Sequence, residues 1–388
     1  MCDTSGCALI LGLSLGSGHS LVLEGDGSVW AVGSNMFSQL GTDSGSNKVV
    51  RNFVEVVSGG AAAVAAGDEH SMVLMQDGSV WLSGTNTFGQ IGDGSNTATR
   101  RFVVVIPHNA KAVGAGAKHS LVVMRDGSVW ATGYNLHGQL GDGSTTDRNK
   151  FSQVMASGAR DVAAGGEHSM VLKSDGSVWV TGSNWKGQLG AESAGDRKAF
   201  MLVIPRGAKG IAAGTFHSMV LKEDGSVWVT GENNSGQLGD GTTGSKSTFV
   251  QVVAQGVVGI AAGSEHSVIL RQLGSVWTAG RNDFGQMGAA KTVSSSIFVP
   301  VISGGAKAVA AGDRHSMVLK RDGSLWGTGA NMYGQLGDGS TVNKNTFERV
   351  VSSRGGACCT MRCVSGIWIM HSVLPSQCIS LSGADIGM

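Results

Sequence analysis

The sequence predicts an all-β fold, a seven-bladed β-propeller with four antiparallel strands in each blade. Three observations carry this expectation. A His-Ser pair recurs at His19, His70, His119, His168, His217, His266 and His315, first 51 residues apart and then 49 apart five times. In the same register come a Trp (Trp30 to Trp326), an Asn (Asn35 to Asn331), a Gln-Leu-Gly or close variant, and a Phe (Phe53 to Phe347). Glycine supplies 62 of 388 residues and proline 4, the composition of many short strands joined by tight turns. A fixed period in the range of roughly 20–50 residues marks a repeat architecture, and each unit is one supersecondary element.

The fourth unit shows the elements in order. Asp161–Ala164 is expected as strand a, Ser169–Lys173 as b, Ser177–Thr181 as c and Phe200–Ile204 as d. Asp175-Gly176 between b and c is a hairpin signal, because glycine accepts positive φ. Six units keep Asp-Gly there, and the sixth has Leu273-Gly274. Strand c sets Val178 and Val180 on one side and Trp179 and Thr181 on the other. Both sides are largely apolar, as a strand covered on both faces requires. The first unit carries two extra residues between Gly41 and Phe53.

Radial closure is expected over an open solenoid, because the first and seventh units keep the full pattern where a solenoid needs atypical caps. The propeller is placed at residues 8–351. Residues 352–388 form a divergent tail: the eighth His is due at 364, where Val364 stands, and His371-Ser372 comes seven residues late.

The third unit reads Gly116, His119-Ser120, Asp126-Gly127-Ser128-Val129-Trp130, Gly133, Asn135, then Gly138-Gln139-Leu140-Gly141-Asp142-Gly143-Ser144. This pattern resembles the repeat of the regulator of chromosome condensation family, over about nine-tenths of the chain. The resemblance implies a seven-bladed propeller, the number reached from the count of units. Trp-Asp repeat propellers are the rival architecture, and the sequence contains no Trp-Asp dipeptide.

Composition narrows the function. Lys+Arg 29 against Asp+Glu 28 leaves a net charge of +1, so no global field draws nucleic acid or a membrane, and neither partner is expected. The apolar segment Ala8–Leu15 is short and has no preceding Lys or Arg, so it reads as a strand and secretion is not expected. The six cysteines lie at Cys2, Cys7, Cys358, Cys359, Cys363 and Cys378, with none in the body. That is not a secreted disulfide framework, and a cytoplasmic location, with the nucleus as an alternative, is expected. In a closed ring the two ends are neighbours, which would bring Cys7 toward Cys358–Cys363.

No nucleotide loop, zinc-protease helix or nucleophile elbow is present, so no catalytic residue, cofactor or enzymatic activity is expected. A residue demanded in every blade serves what every blade needs. The repeated His and Ser are therefore read as structural hydrogen-bonding groups, the Trp as core anchors and the Asn as a turn brace. Equivalent histidines of adjacent blades lie too far apart to share a metal at ~2 Å, and Asp142 with Asp147 lacks the spaced ligands of a calcium loop, so no metal is expected.

Function is sought instead where the units differ. Strand parity sends the a–b and c–d loops to one side, and this loop-rich side is the expected binding face. Before the histidines stand Asp68, Glu69, Lys118, Glu167, Phe216, Glu265, Asp313 and Arg314. After the Asn stand Phe37, Phe88, Trp185, Phe284 and Tyr333, with Arg100, Arg101, Arg197 and Lys198 further along. Phe37, Glu69, Phe88, Lys118, Glu167, Trp185, Phe216, Glu265, Phe284, Arg314 and Tyr333 are the candidate partner-binding residues. Mixed charge with aromatics suits a protein partner, and a non-enzymatic interaction scaffold, monomeric itself, is the leading expectation.

The family resemblance implies an alternative, guanine-nucleotide exchange on a Ran-like small GTPase. The basic N-terminal arm of chromatin-associated members is not seen, since residues 1–20 hold no Lys or Arg. Photoreceptor members place Trp two positions before the His, where Ser17, Asp68, Ala117, Gly166, Thr215, Ser264 and Asp313 stand, so that reading is rejected.

Overall fold

Seven consecutive four-stranded meanders form the fold, each ordered a-b-c-d with every neighbour antiparallel. The structure, a computed structural model, describes residues 10–43, 48–192 and 195–350, and the backbone of 362–364 and 367–369. In the fourth blade the strands are Ala159–Ala164, His168–Lys173, Val178–Gly182 and Arg197–Ile204. The first blade comprises Ile10–Leu15, His19–Glu24, Val29–Ser34 and Val49–Val57, and the seventh ends with Lys344–Arg349. Arg362–Val364 and Ile367–Ile369 pair as a short antiparallel hairpin. Cys2, Cys7, Cys358, Cys359, Cys378 and His371 lie outside the described residues, so the proximity expected of the terminal thiols does too.

The core lies between blades. Leu121, Val123, Val129, Ala131 and Leu140 of the third blade pack with Val162 and Val171 of the fourth, and Trp179 and Phe200 close the same seam. Met170, Leu172, Val178 and Val180 on the fourth blade's other side meet Val220 of the fifth. Each meander thus buries both faces, which is the physical reason for the two-sided apolar alternation. The Trp series, expected as core anchors, packs on the inter-blade clusters while remaining half-buried along the seams. Each indole needs a polar partner at its edge: Trp179 Nε1 donates to Ser177 Oγ at 3.1 Å, and Lys173 Nζ lies 4.5 Å from the ring centroid.

A polar belt crosses every seam. His119 Nε2 lies 2.9 Å from Ser169 Oγ of the next blade, and Ser169 Oγ donates to Gln139 O at 2.7 Å. The serine has one hydroxyl hydrogen, and a carbonyl can only accept. The serine therefore donates to Gln139 and accepts from the imidazole, so His119 carries its proton on Nε2. Equivalent His–Ser pairs join all seven blades at 2.8–3.0 Å, from His19–Ser71 round to His315–Ser20. All seven imidazoles are fully buried. Desolvation first, and neighbouring histidines second, hold His19, His119, His168, His266 and His315 down to about 3, while burial holds His70 and His217 to about 4. The glycine three residues before each His is explained here: a Cβ on Gly165 would stand 2.4 Å from His168 Cε1 and 2.4 Å from Gly214 O.

The repeated Asn and Gln shape the c–d loop. Asn135 Oδ1 accepts from Leu140 N at 3.0 Å, and its Nδ2 donates to Asp142 Oδ1 at 3.1 Å and Thr146 O at 3.0 Å. Asp142 also accepts from Ser144 N and from Arg148, so its carboxylate is spent within its own loop. The loop then grips the next blade, where Thr181 Oγ1 donates to Gly138 O or Arg197 O, at 2.9 and 2.8 Å.

Candidate interaction face

The a–b and c–d loops emerge together on one side, as the antiparallel order requires. In blades 2, 3, 5, 6 and 7 the residue two after the Asn, and in blade 4 the residue directly after it, leans toward the residue just before the next blade's His, so variable positions meet across blade boundaries. Lys118 Nζ sits 5.0 Å from the Phe88 ring centroid and 5.6 Å from that of Tyr134, and Phe88 meets Tyr134 edge-on at 4.9 Å. Trp185 meets Phe216 edge-on at 5.2 Å, with Lys186 Nζ 4.5 Å from the indole. The Arg314 guanidinium lies 4.8 Å from the Phe284 ring. His137 reaches Glu167 at 3.5 Å and Asp196 at 2.8 Å, and Glu265 accepts from Ser235 Oγ and Arg281 at 2.9 Å each. Tyr333 leans over Gly18 of the first blade.

At the axis of this face opens a funnel of about 360 Å³, lined by the ends of the seven a strands and the residues two before the histidines. Two of these are acids, Asp68 and Asp313, and Ser17 Oγ of the blade between them donates to Asp313 Oδ2 at 3.5 Å. Asp68 is exposed at the mouth but hemmed in by the funnel wall; desolvation there, then repulsion by Asp313 and Glu69, raises it to about 6 against the opposing charge of Lys118.

The eleven residues singled out from sequence thus share one face. Phe37, Trp185 and Tyr333 are exposed, whereas Phe88, Phe216 and Phe284 are half-buried against their neighbours. Phe88–Lys118, Trp185–Phe216 and Phe284–Arg314 are brought into direct contact; Glu69 stands beside the funnel. Sequence reasoning missed Met36, Leu136 and Met332, all exposed, and Tyr134, His137, Lys186 and Arg281, which partner the predicted residues. The signal was available: Met36, Leu136 and Met332 occupy the column directly after the repeated Asn, the column of Trp185.

The model of the RCC1-like domain matches residues 4–246, and models of the regulator of chromosome condensation (RCC1) repeat match 224–270, 274–319, 257–286 and 306–335. The chain belongs to the RCC1-like domain family. An 80-residue stretch of this RCC1-like chain is 38% identical to E3 ubiquitin-protein ligase MYCBP2 of Danio rerio, covering 21% of the chain and 2% of that protein. Human WBSCR16 superposes with a TM-score of 0.71 at 22% identity, over 80% of this chain and 87% of that one. Prp20p of Saccharomyces cerevisiae, described with its binding to Gsp1p and histones, gives 0.70 at 21% identity, over 80% and 82%. At these identities the solved structures speak for the shared RCC1-like propeller alone.

Proposed function

We propose that this RCC1-like ring is a non-enzymatic interaction module that holds a protein partner on its loop-rich face. One observation carries the reading. Met36, Phe37, Leu136, Trp185, Met332 and Tyr333 are exposed by between 37% and 58%, all on c–d loops of the same face, over a ring that is interlocked at every seam. Large apolar side chains grouped on a rigid surface are what a protein interface uses for anchors. The chain works as a monomer in a reducing compartment, the cytoplasm or nucleus, consistent with cysteines confined to the terminal segments.

The test is affinity capture with the wild-type chain and a Trp185→Ala/Phe216→Ala double variant, read by mass spectrometry. Partners held by the wild type and lost by the variant support the face; an unchanged set of partners removes it.

The second reading is guanine-nucleotide exchange on a Ran-like small GTPase. Family membership and the likeness to Prp20p, described with Gsp1p, favour it. Nucleotide release from a panel of labelled GTPases decides it, and no acceleration by the chain would remove it.

A further inference from the structure

The exposed apolar side chains do not ring the loop face evenly. At the two positions after the repeated Asn, blades 7 and 1 present Met332, Tyr333, Met36 and Phe37, and blades 3 and 4 present Leu136 and Trp185. Blades 5 and 6 present Asn234, Ser235 and Asp283 there, and Phe284 is capped by the Arg314 guanidinium. The face therefore has an apolar arc over blades 7, 1, 3 and 4, interrupted at blade 2 by exposed Thr87 and by Phe88 beneath Lys118, and a polar sector at blades 5 and 6.

The charge inside the arc is unbalanced. The cations near the axis are already engaged: Arg281 with Glu265 and Asp283, Lys186 with Glu232 at 2.7 Å, Arg314 with Asp313 at 3.5 Å, and Lys118 over Phe88 and Tyr134. Asp68 and Glu69 form no direct ion pair among the described residues, and the Lys118 charge offsets them only in part, since both carboxyls stay above their ordinary range. The second residue of strand a is cationic in four blades (Lys111, Arg160, Lys209 and Lys307), but these groups are exposed near the other end of that strand. A six-residue strand puts them about 17 Å away, beyond a Debye length at physiological salt. The funnel mouth is thus negative, with these cations set at the other face of the ring. Crowding of Asp68 by Asp313 adds to the same picture: a cation placed between them would relieve that repulsion.

We propose that the occupant of this surface is an extended segment of a partner protein that sets a lysine or arginine side chain into the Asp68–Asp313 mouth and lays apolar side chains along the arc of blades 7 to 4. The inference rests on the loop face being the binding surface, and it adds which sector is used and what chemistry is bound. The carboxylates supply charge-assisted hydrogen bonds to the cation, and the arc supplies the apolar burial that holds the flanking residues. An acidic segment would meet like charge from Asp68 and Glu69 at the axis.

The probe is a library of random linear peptides displayed on phage, panned on the full chain. The expected selection shares a Lys or Arg beside aromatic or aliphatic residues. Replacing that residue by Gln in a selected peptide weakens binding about tenfold, the Asp68→Asn/Asp313→Asn variant does the same, and the two changes together cost little more than either alone, as directly coupled groups must. Asp68→Ser/Asp313→Thr is the second variant; Ser and Thr already occupy that column in blades 1 and 5, so the ring tolerates them. Peptides that lose affinity with Trp185→Ala yet bind both acid-replaced variants at full strength overturn the inference and leave the face standing. A selection that yields acidic peptides indifferent to the mouth overturns it equally. If no peptide depends on either Trp185 or the mouth, the inference and the face fall together.

Discussion

His315 of the last blade holds Ser20 of the first, Nε2 to Oγ at 2.9 Å, and Ser20 Oγ donates to Gln335 O at 2.7 Å. The first blade takes all four of its strands from residues 10–57, so no strand is exchanged to close the ring. Closure uses the same side-chain interlock as every other seam. Ser20→Ala would strand a buried imidazole N–H and a buried carbonyl, at a cost of ~1–3 kcal/mol. Ser169→Ala, at the seam of blades 3 and 4, is expected to cost the same. Urea unfolding of the two variants measures this, and a negligible cost for Ser20→Ala alone would mean that the last seam is not a true closure.

The histidine belt makes the ring acid-labile well above the carboxylate range. Its folded pKa values lie near 3 to 4, below the ordinary 6.5. Between those limits the unfolded chain binds more protons than the native one, so stability is full above pH ~6.5 and falls as pH drops. Asp68, raised to about 6, works in the opposite direction and offsets about one of the seven protons. The steepest loss approaches ~8 kcal/mol per pH unit. A cooperative collapse near pH 5, with uptake of several protons, is the expected result of circular dichroism across a pH series. A chain still folded at pH 4 would contradict it. Above that transition, nitrogen chemical shifts of labelled histidine should report Nε2–H tautomers throughout the belt.

Much of this was legible because repetition exposes what every blade needs. The strands of the fourth unit were placed within a few residues, and the His, Ser, Asn and Gly columns were recognised as structural. Their partners were less accessible, since His119 bonds a serine 50 residues away and only the closed ring shows which. The Trp series was recognised as core anchors, but its half-burial was not legible, because apolar content does not reveal that an indole N–H and a stacked Lys173 must stay near water. On the face, the aromatics were found and Met36, Leu136 and Met332 were not, since a lone exposed Met or Leu signals nothing until three share a column. The pairing of Phe88 with Lys118 depends on the inter-blade lean, a property of the ring and not of either loop.

Two glycines separate backbone strain from packing. Gly141 and Gly207 both adopt left-handed backbone, φ +76 and φ +80. A Cβ at Gly207 would meet nothing within 4 Å, whereas one at Gly141 would stand 2.5 Å from the Phe200 ring of the next blade. Gly207→Ala is expected to cost ~1–2 kcal/mol, the left-handed penalty alone. Gly141→Ala adds overpacking at a seam and should cost ~3–4 kcal/mol. Thermal and urea unfolding distinguish them, and equal costs would mean that the Gln-Leu-Gly loop does not press on Phe200.

The sixth blade's b–c turn departs from the Asp-Gly form of the other six, and its repair is a direct test of the turn chemistry. In other blades the aspartate takes the serine amide, as Asp175 Oδ1 accepts Ser177 N at 2.9 Å, with glycine alone in the left-handed region. In the sixth, Leu273 holds φ +69, ahead of Gly274 at φ +85, and exposes 84% of its surface. A leucine is strained in that conformation and gains nothing from packing there. Leu273→Asp restores the sequence of the other six turns, allows the carboxylate to cap Ser275 N, and returns the residue to negative φ. The expected outcome is a gain of ~0.5–1 kcal/mol from the relieved backbone, read as a higher urea midpoint at unchanged slope. A lower midpoint would show that the Leu273 turn is held by contacts that the aspartate turns lack.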